Sequence, residues 1–130
     1  MDDKIREGVA GVVDVLEQVA REIRELESEA RDALYNRNDK ATYRRKMEAK
    51  AVLLIDLHER TEEAVSALKG DLRRELQKGI ENFAHRGEKA LETASLFYMY
   101  ALLYPEDYIE GEPNDLERYI SDLRQRYLEE

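Results

Sequence analysis

Two histidines, His58 and His85, each lie four residues from a glutamate, Glu62 and Glu81 respectively. On a helix that spacing puts both side chains of a pair on one face. Such pairs are raw material for a general base or a divalent metal ligand. The wider pattern does not complete either chemistry. A di-iron bundle draws a Glu-x-x-His from each of two helices, and the chain contains no Glu-x-x-His and no His-Glu-x-x-His. The acidic pairs Glu22/Glu25 and Glu59/Glu62 lie at helical spacing, and such pairs are usually solvated helix faces. There is no cysteine, so thiolate ligands, disulfides and cysteine nucleophiles are excluded. No Gly-rich phosphate loop, nucleophile elbow or Asp-rich metal loop occurs. The expectation is a non-enzyme with no cofactor and no metal. A carboxylate and divalent-metal bundle enzyme is the weakest alternative.

Three other groups of residues are candidates for binding. His58 and Thr61 interrupt an otherwise apolar helical stripe and form a polar seam, which in coiled coils fixes register. Lys40, Arg44, Arg45, Lys46 and Lys50 cluster within one stretch beside Tyr43. Cations and an aromatic ring suit phosphates and stacked bases, which makes 40–50 a candidate anion-binding tip. Glutamates toward the end of the first helix can instead neutralise it locally. The third group is aromatic. Of 8 tyrosines, six follow residue 97: Tyr98, Tyr100, Tyr104, Tyr108, Tyr119 and Tyr127. With Phe97 they make a candidate partner interface, because tyrosine gives contact area at little entropic cost.

Helices must position all of these. Ile5, Val9, Val12, Leu16, Val19, Ile23, Leu26, Ala30 and Ala33 alternate steps of four and three, the pattern of a coiled-coil seam. It predicts a first helix over about 4–35. Gly8 and Gly11 weaken its start by roughly 1 kcal/mol each relative to alanine, so something must pack there. Met47, Ala51, Leu54, His58, Thr61, Val65, Leu68 and Leu72 continue the same alternation. The phase runs through Gly70 and predicts one second helix over about 40–86, ended by Gly87 as C-cap, with a helix that passes through Gly87 or breaks at Gly70 as the alternative. A third helix over about 88–104 is apolar nearly all round and stops at Pro105. Asn114 and Glu117 resemble a capping box for a fourth, over about 114–128.

The resulting fold class is all-α: a long antiparallel hairpin with two shorter helices packed on it as a three- or four-helix bundle, one domain over 1–130. A first helix of about 32 residues spans roughly 48 Å and a second of about 46 roughly 69 Å, so the second overhangs.

Composition agrees. Charged residues reach 39%, with Gly 6 and Pro 2, as in long helices. The net charge of −9 removes a general basic footprint for nucleic acid. No apolar run approaches the ~20 residues of a membrane span, so no membrane partner is expected. The opening Met1-Asp2-Asp3-Lys4 lacks the features of a secretory leader, and a cytoplasmic location is expected. The scarcity of Asn, Gln and Cys beside abundant Glu and Arg hints at a thermophile. The expected function is a helical interaction or scaffold protein, a homo-oligomer or small subunit of a larger assembly, joined through its tyrosine-rich C-terminal helices. Nucleic-acid or anion binding at 40–50 is the alternative.

Overall fold

The computed structural model describes residues 2–129. Helix α1 spans Asp3–Asn36, with the Asp2 carboxylate accepting from the Lys4 N–H at 2.9 Å as its N-cap. Helix α2 spans Lys40–Ile55 and is capped by Asp39, which accepts from the Thr42 N–H at 3.0 Å. Helices α3, Leu57–Ser66, and α4, Gly70–Thr93, follow. A short α5, Leu96–Ala101, leads into a loop and α6, Asp115–Leu123, which ends in a π-helical turn over Arg124–Leu128. No strand occurs among the described residues. The all-α bundle expected from periodicity is the fold.

The chain runs up, down, up and down. Helix α1 packs on α2 and α3, and α4 returns against both. Glu29 pairs with Lys46 and Glu22 with Arg60, which sets α2–α3 antiparallel to α1. Helix α6 closes the bundle between α1 and α4. It meets α1 through Arg24–Glu117 and Glu17–Arg124, and α4 through Arg86–Asp115 and Glu75–Arg126. The core is one cluster that includes Val12, Leu16, Ile23, Leu54, Leu76 and Leu123.

Several helix boundaries differ from those expected. The second helix does not run from 40 to 86. It is interrupted at Asp56, whose ψ is −5°, and broken over Ala67–Lys69. Gly70 makes the second break by taking φ +64°, a conformation open to glycine. Leu68 stays in the apolar stripe while the backbone leaves the helix, so the seam pattern continued across a real turn. No overhang remains, because α4 folds back along the hairpin. Gly87 is not a C-cap. It lies inside α4, where an added Cβ would sit 2.7 Å from the Ala51 carbonyl oxygen. Its missing side chain lets α2 and α4 touch. Helix α4 ends at Ala94, with φ +52°. The third helix is therefore not 88–104 but only the six residues of α5. Leu102 departs from it and Leu103 has φ +78°.

The expected weak start of α1 does find a partner. Gly8 receives the Leu68 side chain, which a Cβ would approach to 2.6 Å, and Gly11 faces Ala64. Asn114 forms a full capping box with Glu117, as expected.

At Gly79 the absent Cβ makes room for Tyr119, whose hydroxyl would otherwise be 2.5 Å away. The Tyr119 ring meets Phe83 edge-on at 5.5 Å, and its buried hydroxyl has no hydrogen-bond partner. Burial pushes that phenol up to about 12. Because burial penalises only the ionised phenol, this group leaves stability unchanged below pH 10.0, its ordinary value, and lowers it as pH rises toward about 12. Tyr119→Phe removes a polar atom that burial leaves unsatisfied. It should stabilise the fold by about 1 kcal/mol in urea unfolding at neutral pH. It should also flatten the alkaline fall in stability. A variant less stable than the parent at neutral pH would reject this account of Tyr119.

Candidate functional site

The structure divides the candidate residues into a buried polar cluster and an exposed tip. The cluster begins with Lys50. Its side chain is fully buried, and its ammonium donates to Glu27 at 2.9 Å and to the Met99 carbonyl oxygen at 3.2 Å. Glu27 is itself 5% exposed. The Tyr104 hydroxyl donates to the Glu27 carboxylate at 2.6 Å and accepts from the Arg24 guanidinium at 3.1 Å. Arg24 also grips Glu117 with two hydrogen bonds, 3.1 and 2.6 Å, and donates to the Glu112 carbonyl oxygen. The Lys50 ammonium lies 5.0 Å from the Tyr104 ring centre, and the Tyr104 and Tyr108 rings pack at 4.6 Å. Four segments meet here: α1, α2, the loop after α5, and α6.

Electrostatics follow from burial. Desolvation pushes the Lys50 ammonium down, and Glu27 opposes that shift. Burial pushes the Tyr104 phenol up, and its hydrogen bond to Glu27 adds to the effect. Burial also pushes Glu117 up, but the hydrogen bonds from Arg24 and from the Asn114 N–H outweigh it and hold its carboxyl low. Every charge in the cluster has an opposite charge or a hydrogen bond. Only the amide nitrogen of the fully buried Asn114 lacks a partner. Lys50 and Glu27 are closed off from solvent, whereas Arg24 and Glu117 also line an open groove of about 540 Å³ between α1 and α6, so the network clamps the bundle from its core out to that groove.

Lys50 thus leaves the basic group. Lys46 leaves it too, paired with Glu29 at 2.5 Å. The local counter-charge expected from the end of α1 accounts for these two. Arg45 is exposed and donates to the Thr42 hydroxyl at 2.8 Å. Lys40 and Arg44 are exposed, and their side chains make no hydrogen bond or ion pair with the described residues.

The polar seam is also redrawn. His58 is exposed, and Leu57 is fully buried in its place, because the interruption at Asp56 turns α3 relative to α2. Thr61 is buried as expected, and its hydroxyl donates to the Leu57 carbonyl oxygen at 2.7 Å. His58 and Glu62 line a cleft of about 260 Å³ between α3 and α4. His85 lies in solvent with its Nδ1 3.8 Å from Glu88, and Glu81 is exposed. Among the described residues, no three His, Asp or Glu side chains converge on a point that would hold a metal ion. None of the described helices is long and apolar enough to cross a membrane.

The aromatic group splits in four. Tyr104 and Tyr108 belong to the buried cluster, and Tyr119 lies against α4. Tyr127 stays at the surface, where its ring packs under Arg126 at 4.9 Å. Phe97, Tyr98 and Tyr100 point outward from α5, with exposures of 79%, 40% and 58%. They gather at one end of the bundle. Tyr43 on α2 is half-buried, and burial raises its phenol, helped by the neighbouring Tyr100 and Tyr35. Tyr35, at the end of α1, is 76% exposed. Lys89 lies over the Tyr98 ring at 5.8 Å. The tip therefore joins Tyr35, Tyr43, Phe97, Tyr98 and Tyr100 to the free cations Lys40 and Arg44.

Sequence reasoning did not find Tyr35 as part of this surface, nor Arg24, Glu27 and Glu117 as parts of the clamp. Glu27 had a signal. It lies four residues after Ile23 and three before Ala30, both fully buried, so it occupies a seam position as well as Leu26 does. No family model, curated protein or solved structure matches the chain.

The clamp yields a thermodynamic test. Lys50→Met leaves the Glu27 carboxylate buried without its cation and should cost about 3–5 kcal/mol of stability. Adding Glu27→Gln removes the stranded charge while keeping an acceptor for Tyr104. The double variant should then be more stable than Lys50→Met alone by urea unfolding. Simply additive losses would show that the pair is not coupled.

Proposed function

We propose that the protein is a non-catalytic interaction module of the cytoplasm, which works by presenting the aromatic tip to a protein partner. One observation carries the reading. Phe97 is 79% exposed on a bundle whose other phenylalanine, Phe83, is buried. Leaving a phenylalanine in water forgoes about 1.5–3 kcal/mol of burial, and here it shares one short helix with the exposed Tyr98 and Tyr100. A contiguous apolar patch rimmed by polar groups marks an interaction site. The patch is also well supported. Helix α5 is pinned from below by Met99, which is 1% exposed and whose carbonyl oxygen accepts from Lys50. The test is hydrophobic-dye binding with the oligomeric state followed in parallel. The parent should either self-associate or bind dye as a monomer. Phe97→Ser with Tyr100→Ser should lose that behaviour while keeping its helical circular dichroism. A parent that is a clean monomer and binds no dye would overturn the proposal.

A second reading rests on Lys40 and Arg44, free cations beside exposed aromatic rings, the combination that holds single-stranded nucleic acid. Lys46 and Lys50 are already neutralised, so this surface is smaller than the sequence implied. The reading predicts salt-sensitive binding of a single-stranded oligonucleotide, abolished by Arg44→Glu with Arg45→Glu. Absence of binding by the parent at low salt would dismiss it.

A further inference from the structure

The aromatic tip needs an occupant whose apolar and charged groups match it. The net charge of −9 opposes contact between most surfaces of two copies. The tip is an exception, since Lys40 and Arg44 stand there without partners. The loop between α5 and α6 offers the complement. Ile109 at its crest is 68% exposed. Around it Glu106, Asp107 and Glu110 are exposed, and their side chains make no hydrogen bond or ion pair with the described residues.

The loop is held in shape. The Tyr108 hydroxyl donates to the Glu112 carbonyl oxygen at 2.6 Å, and the Ile109 N–H donates to the Glu112 carboxylate at 3.0 Å. Gly111 makes the turn with φ +96°. Tyr104 and Tyr108 root the loop in the buried clamp. A loop fixed in advance loses little freedom on binding, which lowers the cost of association. An isoleucine held outward among free carboxylates is thus a rigid, apolar and acidic knob. The tip is an apolar and basic socket.

We propose that the occupant of the tip is a second copy of this chain, in a two-fold dimer where the acidic loop around Ile109 of each copy covers Phe97, Tyr100, Lys40 and Arg44 of the other. The inference rests on the tip being the working surface. The two patches lie at the same end of the molecule. The loop is anchored at Glu27, and Tyr35 lies eight residues farther along α1, a rise of roughly 12 Å. A two-fold axis between them uses both patches of both copies at once, which closes the assembly. Scaled by their exposure, the four exposed aromatic side chains and Ile109 offer roughly 600 Å² per copy, most of the about 800 Å² per partner of a standard interface.

Sedimentation of four proteins tests this. The parent should form a dimer that weakens as salt is raised. Lys40→Glu with Arg44→Glu should weaken dimerisation by about tenfold or more, as should Glu106→Lys with Glu110→Lys. Joining all four substitutions exchanges the charges between the patches and should recover most of the parent's affinity. All four positions are exposed, so the helical circular dichroism should not change. A four-substitution protein no tighter than the product of the two pairs overturns the arrangement. So does growth into ever larger species with concentration. A parent that stays monomeric yet binds hydrophobic dye overturns the second copy as occupant and leaves the tip as a surface for another partner. A monomer that binds no dye overturns both.

Discussion

The ion pair between Lys50 and Glu27 is the constraint on which the upper half of the molecule depends. An ammonium with no exposed surface is tolerated only when its charge is met and its protons are accepted. Glu27 supplies the charge, and the Met99 carbonyl oxygen takes a further proton. The remaining valences of Glu27 then require the Tyr104 hydroxyl, and Tyr104 in turn brings Arg24 and Glu117 into the same contact. Each satisfied group recruits the next, so one buried lysine dictates where α5, the following loop and α6 must lie. Such a pair adds little net stability over an apolar substitute. It fixes one arrangement, because any displacement of the C-terminal segments strands a charge.

Elsewhere the packing is governed by close approach. Gly8, Gly11, Gly79 and Gly87 each face another element, and three of these contacts would be shorter than 3 Å if a Cβ were present. The bundle is slender because its helices meet through missing side chains, which suits a chain whose apolar content includes many alanines. The tyrosines fill what remains. Tyr119 occupies the hollow over Gly79, although its hydroxyl finds nothing to bond there.

Much of the fold was legible in the residues. The four-and-three spacing of α1 marked its length and its buried face, and the Asn114 capping box marked the start of α6. What periodicity could not reveal was the turn before Gly70. An apolar stripe records which residues are buried, and Leu68 is buried whether or not its backbone is helical. Gly87 was misread for a related reason, since a glycine that admits a neighbouring helix looks in sequence like one that ends its own. The slip at Asp56 exchanged Leu57 for His58 in the seam, a difference of one residue that no stepping pattern resolves. In the candidate site, the exposure of Phe97 and Tyr100 fits the aromatic excess noticed in the sequence. The loss of Lys50 and Lys46 from the basic group does not, because a cation's partner across a hairpin depends on rotation about the helix axis.

The clamp also orders events in time. Arg24 and Glu117 are separated by 93 residues, whereas the hairpin contacts of α1 with α2 and α3 close over shorter spans of chain. Entropy favours the shorter closures first. Until the C-terminal segment arrives, Glu27 has Lys50 and, three residues away on α1, Arg24, but not Tyr104, and Arg24 lacks Glu117. The C-terminal segment is then a separate cooperative unit, docking last and opening first. Amide hydrogens in α6 would exchange through that partial opening, while those of the α1 core would wait for the whole chain to unfold.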